Sequence, residues 1–335
     1  MNSLKVSVII PNYNHARYLS KRIESVLNQS LRNIEVILMD DCSPDNSRDI
    51  IADYAAQDSR IRVVLNEQNS GSTFKQWNKG IGLATGEYVW LAESDDYADP
   101  EFLATLVSRL DANPAVVLAY CNSYSVDEHS EPMPTPTWEP FLSDLDAELW
   151  KHDFTRPGLD LVRRFMSFRN IIPNASAVVL RRSTLTQVGP ADGSMRILGD
   201  WLFWAKVMAA GQVAYVAQPL NYFRTHRNNV RSKTFEDGTA LVETTQMLQA
   251  MRQYGLPDPV IYRKSLDMLL WLWAFLITRH HAPWEKHQTI YRNLLIIEPG
   301  MKSQIIRSLV GFMFRNRFQG TRWFIQKLLG KSVTA

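Results

Sequence analysis

Cysteine is scarce in this chain: Cys42 and Cys121 are its only two among 335 residues. They lie far apart and form no CxxC pair, which excludes the spacing of a dithiol redox motif or a cysteine-based metal site. Disulfide frameworks are typical of secreted proteins, so this usage favours a reduced compartment. The N-terminal apolar run is ended by Pro11 and is too short for a secretory signal. We therefore expect a cytoplasmic protein.

Long apolar runs and glycine-rich phosphate loops are also lacking. The segment Leu266–Ile277 is apolar over 12 residues, short of the roughly 20 that span a bilayer. We favour a buried packing helix there. No G-x-G-x-x-G follows the first apolar run, which argues against a dinucleotide-dependent oxidoreductase. Apolar content of 45% and charged content of 21% are those of an ordinary globular protein.

The small net charge of +3 conceals an asymmetry. Residues 263–335 carry 12 Lys and Arg against three Asp and Glu, so the remainder is acidic. This distribution predicts an acidic site joined to a basic tail that meets an anionic surface. Aromatic and basic residues alternate from Phe312 to Leu328, which fits a peripheral membrane segment. A solvated helix face fits as well, and no nucleic-acid partner is predicted.

Short β-branched runs alternate with helical patterns in the first part of the chain. The predicted strands are 5–10, 34–39, 61–65, 88–92 and 115–120. The predicted helices are 16–28, 47–56, 72–84 and one that begins near residue 100. This alternation predicts right-handed crossovers and a mainly parallel α/β sheet flanked by helices.

The pattern changes beyond residue 120. Residues 130–157 show no clear period and are interpreted as a loop beside the site. We then predict a strand at 175–180, a helix at 200–210, strands at 213–216 and 220–223, and a mostly helical C-terminal region. The predicted domains are residues 1–228 and residues 229–335.

Two acidic clusters follow predicted strands. Asp40 and Asp41 end the second strand, and Glu93, Asp95 and Asp96 follow the fourth. Carboxylates beside a core are costly unless solvent, hydrogen bonds, a cation or a ligand compensates them. Ligands of parallel sheets bind beyond the carboxyl ends of the strands. The sequence therefore predicts a ligand site at this edge.

Five segments together resemble glycosyltransferase family two. They are VSVIIPNYN, DDCSPD, NSGSTFKQWNKGI, ATGEYVWLAESDD and LGDWLFW, and the resemblance covers roughly residues 4–226. It implies the Rossmann-like GT-A fold. It also implies inverting transfer of a sugar from a nucleoside diphosphate, assisted by Mg²⁺ or Mn²⁺.

The resemblance assigns several residues to the nucleotide. Asp41 would accept the ring N–H of a uracil-type base, because a carboxylate is an acceptor-only group. Pro11 and Tyr13 correspond to positions that cradle the nucleotide. Lys75 would supply the positive charge of an Arg that the family often carries where Trp77 stands. A turn-stabilising Asp41, a surface or core Tyr13 and a solvated Lys75 remain alternatives.

Glu93-Ser94-Asp95 stands where the family usually shows Asp-x-Asp. Asp95 would bind the divalent cation, whose remaining hard oxygen ligands come largely from the diphosphate. The longer Glu93 would reach the ribose or a water, and Ser94 would line the nucleotide site. Asp96 has two interpretations, a role in the site or a cap for the helix after Pro100.

Asp200 matches the catalytic base of the family. A positioned carboxylate removes the proton of the acceptor hydroxyl as the new bond forms. Capping of a helix that begins at Trp201 is an alternative that is compatible with this role. The family often has Glu where Gly199 stands. His226 would contact the diphosphate or metal, or would be a surface histidine.

The sequence thus predicts transfer from a nucleoside diphosphate sugar, with UDP preferred to dTDP or GDP, to a glycan or lipid-linked acceptor. The lipid-linked acceptor rests on the basic tail and implies peripheral contact with an anionic membrane. A catalytically degenerate sugar-nucleotide-binding or scaffolding subunit is the alternative, because of the departures at Glu93, Trp77 and Gly199. A phosphoacceptor receiver domain would need only about 120 residues and no Asp200 region.

Overall fold

The computed structural model describes residues 4–172, 174–225, 234–280 and 282–315. The chain forms two compact units, residues 1–162 with 170–227 and residues 163–169 with 228–335. The division into functional domains at residue 228 stays a prediction. His226 and most of the basic tail lie outside the described residues.

One sheet organises the first unit. Its described strands are β1 (Val6–Asn12), β2 (Ile34–Asp40), β3 (Ile61–Leu65), β4 (Tyr88–Leu91), β5 (Tyr97–Ala98), β6 (Val116–Val126), β7 (Pro132–Thr137), β8 (Phe154–Pro157), β9 (Val178–Arg181) and β10 (Gln212–Arg224). The order is β3-β2-β1-β4-β9-β6-β10-β5, with β7 beside β6 and β8 beside β10. Strands β3, β2, β1, β4, β6 and β10 run in one direction, and the other four run opposite.

Helices cover both faces of this sheet. They are α1 (Ala16–Leu27), α2 (Ser47–Gln57), α3 (Thr73–Leu83), α4 (Phe102–Ala112), α5 (Glu139–Leu142), α6 (Gly158–Phe165), α7 (Arg182–Val188) and α8 (Gly199–Ala209). Leu19, Ile23 and Val26 of α1 are buried in a hydrophobic core cluster, to which the central strands contribute every second residue. On the opposite face, Gly80 of α3 lies against Ile9 and Met39. The mainly parallel α/β prediction is confirmed.

The segment 130–157 was predicted as a loop, and that prediction is wrong. It contains β7, α5 and β8. β7 reads PMPTPT, so proline occupies every second position, and among the described strands it pairs only with β6. A strand with one partner tolerates prolines whose missing N–H groups face away from it. Such a strand has no apolar alternation, which is why the sequence pattern conceals it.

The strands around residues 175–224 also differ from expectation. Residues Ala175–Ala177 form a 3₁₀ turn whose Ala177 N–H donates to the Asn174 side chain, and the strand begins only at Val178. The two predicted strands around Pro219 are one strand, β10, with a shift of register on each side of the proline. Proline lacks a donor, so it interrupts the hydrogen-bond ladder locally without ending the strand.

The described part of the second unit is helical. Its principal helices are α9 (Thr239–Met251), α10 (Pro259–Arg279), α11 (Trp284–Ile297) and α12 (Lys302–Arg315). Asp258 caps α10 by accepting the N–H groups of Val260 and Ile261. Most of the apolar run Leu266–Ile277 is buried, so the packing-helix prediction is confirmed. Among the described helices, none is long and apolar enough to cross a membrane.

Candidate active site

The two acidic clusters lie at the same edge of the sheet. β2 and β4 both pair with β1 in parallel, so the three carboxyl ends are adjacent. The Asp41 N–H donates to the carbonyl of Asn12 over 2.9 Å, and the Ala92 N–H donates to that of Ile9 over 2.8 Å. The acidic pair and the acidic loop, defined as Glu93–Asp96, therefore flank the end of β1, as the sequence predicts.

Asp40 has a structural role. Its buried carboxylate accepts hydrogen bonds from the Asn12 amide, the Ser43 backbone and hydroxyl, and Arg48 Nε. Burial by itself would raise the pKa of Asp40, but these donors outweigh it and hold the pKa below its usual range. Asp40 thus ties the end of β2 to β1 and to the following turn.

Asp41 is 4% exposed and is surrounded by donors of the protein itself. Its Oδ1 accepts from Asn66 Nδ2 at 2.6 Å and from Gln76 Nε2 at 3.0 Å. Ser70 donates its N–H and its hydroxyl to the same carboxylate. Both oxygens are therefore already engaged, and a ring N–H of a base would have to replace one of these donors.

The turn at Gly71 binds the Asp41 carboxylate through Ser70. Gly71 has φ +69°, and its N–H donates to the Asn69 side chain. The Ser70 N–H points at Asp41, as described above. Lys75 is exposed and its Nζ donates to the Ser70 carbonyl at 3.3 Å. The Lys75 ammonium group therefore contacts the turn that holds Asp41.

Pro11 and Tyr13 occupy the end of β1 and the turn beyond it. Pro11 is buried within the strand, whereas Tyr13 is 46% exposed, so the core interpretation of Tyr13 is wrong. The next residue, Asn14, has φ +58°, and its N–H donates to Ser43 Oγ. This contact joins the turn after β1 to the turn after β2 and leaves the Tyr13 ring at the surface.

The acidic loop contains a carboxyl group with an unusual environment. Glu93 Oε1 accepts the indole N–H of Trp77 at 2.6 Å. Burial raises the pKa of Glu93 to about 8, with a further contribution from the charge of Asp95. The Glu93 carboxyl group therefore holds its proton to a higher pH than an ordinary glutamate does.

Asp96 does not cap α4. It is buried, and its Oδ1 accepts the backbone N–H of Arg224 at 2.8 Å. Asp99 takes the local turn role instead, since its Oδ1 accepts from the Glu101 N–H. Burial and the nearby charge of Asp95 raise the pKa of Asp96. The cap interpretation of Asp96 is thus wrong, and the residue belongs to the acidic loop.

Ser94 is buried at the same loop and contacts a residue that the sequence analysis did not consider. Its Oγ lies 2.9 Å from Nδ1 of His15, at the start of α1. The available signal was the position of His15, which follows the motif PNYN directly after β1. A polar side chain so close to the end of a central parallel strand is a candidate for a ligand site.

Trp77 connects the acidic loop to the helix that carries Asp200. Its ring lies 5.6 Å from that of Trp204 and 6.1 Å from that of Phe203, both in α8. Phe74 packs against it edge to face at 5.2 Å. Consecutive α3 residues thus contact both acidic clusters, Gln76 through Asp41 and Trp77 through Glu93.

Asp200 lies in the first turn of α8, but it is not the N-cap. The helix begins at Gly199 and the N-cap is Leu198, so the capping alternative is wrong. Asn170 Nδ2 donates to Asp200 Oδ2 at 3.1 Å, and Asn170 Oδ1 accepts the Ile172 N–H at 3.1 Å. The second bond fixes which end of the amide faces Asp200, so Asn170 orients the carboxylate.

Steric crowding explains why glycine stands at position 199. A Cβ atom at this position would lie 2.5 Å from Cε2 of Phe74, well inside van der Waals contact. The Phe74 ring thus occupies the space that a side chain before Asp200 would need. The departure at residue 199 therefore follows from aromatic packing between α3 and α8.

The described residues offer a metal ion few ligands of their own. They contain no group of three or more His, Cys, Asp or Glu side chains arranged to hold one. Asp95 and Glu93 supply hard carboxylate oxygens, which suit Mg²⁺ or Mn²⁺ when a diphosphate completes the coordination. The donor set fits a cation that binds together with a nucleotide, and it does not fit a cage made by the protein alone.

Sequence analysis missed the residues that support the predicted ones. These are His15, Arg22, Gln76, Asn170 and Arg224. The signal for Arg22 was its place beside Leu19, Ile23 and Val26 on the apolar face of α1, where a cation requires a reason. His15 follows the motif PNYN directly, whereas Gln76, Asn170 and Arg224 become recognisable only from their partners in space.

The fold and the acidic strand ends define an α/β protein with a candidate ligand site at the carboxyl edge of its sheet, and comparison with known proteins identifies its family. The sequence profile "Glycosyl transferase family 2" matches residues 7–171. The chain is 28% identical to the putative glycosyltransferase EpsH of Bacillus subtilis, over 81% of this chain and 75% of EpsH. It is 31% identical to the uncharacterized glycosyltransferase alr2836 of Nostoc, over 68% of this chain and 66% of the relative. A match to glycosyltransferase GlyG of Streptococcus pneumoniae, 39% identical, covers 37% of this chain and 40% of GlyG.

Solved structures resemble the fold. S. aureus TarS (residues 1–349) in complex with UDP-GlcNAc gives a TM-score of 0.65 at 16% identity, covering 98% of this chain and 93% of that one. The mannosyltransferase PcManGT of Pyrobaculum calidifontis, in complex with GDP-Man and Mn²⁺, gives 0.50 at 15% identity, covering 94% and 87%. The chain belongs to glycosyltransferase family 2. It is a glycosyltransferase with the GT-A fold, as the sequence motifs predict.

Proposed function

We propose that this protein transfers a sugar from a UDP-sugar to a hydroxyl group of a glycan or lipid-linked acceptor, with inversion at the anomeric carbon. One observation carries the proposal. Gln76 and Trp77 join Asp41, Glu93 and the helix of Asp200 into one connected site. We expect this connected site to hold the base, the charged diphosphate and the acceptor.

Two observations favour UDP over other nucleotides. TarS, whose fold covers nearly the whole chain, was solved with UDP-GlcNAc. Asp41 is an acceptor-only group that suits the N3–H of uracil. Binding of the base would replace the Asn66 amide on Asp41 Oδ1, and Tyr13 and Pro11 would border the base. Lys75 would lie near the diphosphate, and so would His226, which is outside the described residues.

Asp200 is the proposed general base. The acceptor hydroxyl gives its proton to the Asp200 carboxylate while its oxygen attacks the anomeric carbon. The bond from that carbon to the diphosphate oxygen breaks in the same step, and UDP leaves with the bonding electron pair. The hydrogen bond from Asn170 Nδ2 would keep the Asp200 carboxylate in place while it takes the acceptor proton. Attack opposite the leaving group inverts the configuration.

The acidic loop would receive the diphosphate end of the donor. Asp95 is the proposed ligand of Mg²⁺ or Mn²⁺, Glu93 would face the ribose or a bound water, and Ser94 would line the same wall. The cation, when bound with the donor, would offset the negative charge that develops on the departing diphosphate. PcManGT was solved with GDP-Man and Mn²⁺, which supports a nucleotide-bound cation in this fold.

The acceptor is proposed to be part of a cell-envelope polysaccharide. The putative teichuronic acid biosynthesis glycosyltransferase TuaG of Bacillus subtilis is 46% identical over 91 residues, which are 27% of this chain and 36% of TuaG. We also propose peripheral contact of the cytoplasmic protein with an anionic membrane. Helix α12 supports it with exposed Ile306, Val310 and Phe314 at four-residue spacing, flanked by exposed basic residues Lys302, Arg307 and Arg315.

Binding and turnover together test the donor. A ligand that binds only the native state raises the melting temperature. UDP and UDP-GlcNAc, each with Mn²⁺, are expected to stabilise the protein more than GDP-Man does, and UDP should be released when an acceptor glycan is added. Stabilisation without UDP release from any sugar nucleotide would favour the degenerate subunit instead. Stronger stabilisation by GDP-Man would contradict the choice of UDP.

A further inference from the structure

Two buried arginines hold the backbone of the acidic loop. Arg22 of α1 is fully buried, and Arg224 at the end of β10 is 4% exposed. Arg22 Nε donates to the carbonyl of Glu93 at 2.7 Å. Arg224 Nε donates to the carbonyl of Asp95, also at 2.7 Å. Two guanidinium groups from distant parts of the chain thus bind alternate peptide carbonyls of one short loop.

Further contacts restrict the Arg22 guanidinium. Its Nη2 donates to Ser176 Oγ at 3.0 Å, and the same hydroxyl accepts the Glu93 N–H at 3.1 Å. The guanidinium also lies over the ring of Trp90, 5.5 Å from its centroid. Arg22 and Ser176 therefore hold both the N–H and the carbonyl of Glu93.

Arg224 is restricted in a similar way. Its backbone N–H donates to Asp96 Oδ1, and its Nη1 donates to the Asp127 carbonyl and the Ser130 hydroxyl, each at 3.0 Å. Its guanidinium lies over the ring of Tyr18, 4.6 Å from the centroid. Arg224 therefore links the acidic loop to the turn after β6.

The position of these cations has an electrostatic consequence. Burying a guanidinium is costly unless opposite charge lies close. Burial lowers the pKa of Arg22 to about 10, while the charges of Asp96, Asp95 and Glu93 oppose this shift, so Arg22 stays protonated at neutral pH. The two arginines in turn offset the mutual repulsion of three carboxyl groups. Because they bind the carbonyls of Glu93 and Asp95, the two arginines fix the backbone of the acidic loop at two points.

We propose that Arg22 and Arg224 are positioning residues that hold the acidic loop in the shape that receives the donor diphosphate and its cation. The inference rests on the proposed function, because it assumes that this loop binds the donor. A loop that is already ordered loses less conformational freedom on binding, and the affinity rises accordingly. Partners that orient a metal-binding group typically contribute about 10- to 100-fold in metal affinity or activity.

The test compares Arg22→Lys with a matched control, Arg181→Lys. Lysine keeps the charge but loses the fork that binds two partners at once. Arg181 is a partly buried arginine of the first unit that, like Arg22, donates to backbone carbonyls, in its case those of Val116 and Leu110. It pairs with the start of β4, whereas the acidic loop follows the end of that strand. Arg181→Lys therefore removes a guanidinium that binds backbone carbonyls without touching the acidic loop.

Two measurements separate the outcomes. Hydrogen exchange of the amides of residues 92–97, without ligand, is expected to be about tenfold faster in Arg22→Lys and unchanged in Arg181→Lys. Calorimetry with UDP and Mn²⁺ is expected to show roughly 10- to 100-fold weaker binding in Arg22→Lys only. Parent-like exchange in Arg22→Lys overturns the inference, and so does parent-like UDP affinity in that variant.

The same measurements distinguish a failure of the proposed function. If the parent protein binds no UDP with Mn²⁺, the donor assignment fails, and the inference fails with it because the loop then receives no diphosphate. If the parent binds UDP and Arg22→Lys binds equally well, the arginine role alone fails. Should Arg22→Lys not fold, Ser176→Ala removes the hydroxyl that bridges Arg22 and Glu93 while the charge remains, and the same criteria apply to it.

Discussion

Replacing Asp200 by Asn is the most informative change to the proposed mechanism. Asn has nearly the same size as Asp and keeps one oxygen. That oxygen can accept the hydrogen bond that Asn170 Nδ2 donates to Asp200 Oδ2 at 3.1 Å in the parent protein. It cannot take a proton from an acceptor hydroxyl at neutral pH. Asp200→Asn therefore removes the proposed base and preserves most of the local packing.

The cost in stability can be bounded from the contacts of Asp200. A hydrogen bond to a charged group contributes about 1 kcal/mol more than one between neutral groups. A carboxylate in the first turn of a helix gains about 0.3–1 kcal/mol from the helix dipole. We expect Asp200→Asn to lower the free energy of unfolding by about 1–2 kcal/mol, which lowers the melting temperature by roughly 2–8 °C. A protein of ordinary stability remains almost entirely folded.

The expected loss of activity is much larger. A positioned base contributes roughly 10²–10⁴-fold in rate, which corresponds to about 2.7–5.5 kcal/mol of transition-state stabilisation. UDP affinity should remain near that of the parent, because the proposed base faces the acceptor and not the nucleotide. The predicted signature is thus a severe fall in kcat with unchanged donor binding.

The assay measures UDP released from UDP-GlcNAc in the presence of an acceptor glycan, together with UDP binding on the same preparation. Asp192→Asn is the matched control, since Asp192 is a nearby acidic residue whose carboxylate accepts from the Ser194 N–H and hydroxyl. It should lose a little stability and no activity. Near-parent turnover in Asp200→Asn would remove Asp200 from the mechanism. Equal loss of UDP affinity and turnover would place it at the donor instead.

Four further outcomes are expected. Asp95→Ala should abolish the Mn²⁺-dependent part of UDP binding, and calorimetry that shows unchanged affinity would rule out Asp95 as the ligand. The pKa of Glu93 is raised to about 8 in the folded protein, so the folded protein keeps a proton that the unfolded chain releases at lower pH. The free energy of unfolding should therefore fall as the pH rises from 5 to 8 in metal-free buffer. Urea titrations of Glu93→Gln should show a shallower fall over the same pH range. Gly199→Ala should cost about 1–3 kcal/mol by forcing its Cβ against Phe74, and a parent-like melting curve would contradict this packing. Deleting residues 312–335 should release the protein from vesicles that contain anionic lipid, as high salt should in part; sedimentation unaffected by the deletion would argue against membrane contact through this tail.

Local sequence patterns were sufficient to predict the parallel part of the sheet. The runs that became β1, β2 and β4 are apolar on both faces, as strands covered by helices must be, and this pattern is readable without any tertiary information. Acidic residues placed directly after two such strands predict a site, because parallel strands bring their carboxyl ends to one edge. The family motifs then gave the fold and the class of enzyme, which the comparisons confirm.

Pairing across the chain decided what local patterns do not encode. The proline-rich segment β7 forms a strand only because it pairs with β6. β10 remains continuous at Pro219 because its residues pair with β6 both before and after the proline. No sequence period reports such pairings, since each depends on the residues of another strand. The same holds for β9, whose antiparallel insertion between β4 and β6 is a property of the whole sheet.

The sequence by itself determined which residues carry the acidic chemistry of this protein, and the tertiary structure decided what surrounds them. Asp41, Glu93, Asp95 and Asp200 are recognisable from their positions in motifs. Their environments, in contrast, come from side chains up to about a hundred or more positions away, such as the Arg224 backbone on Asp96. A hydrogen bond requires two groups to meet within about 3 Å, and only the folded chain determines which groups do so.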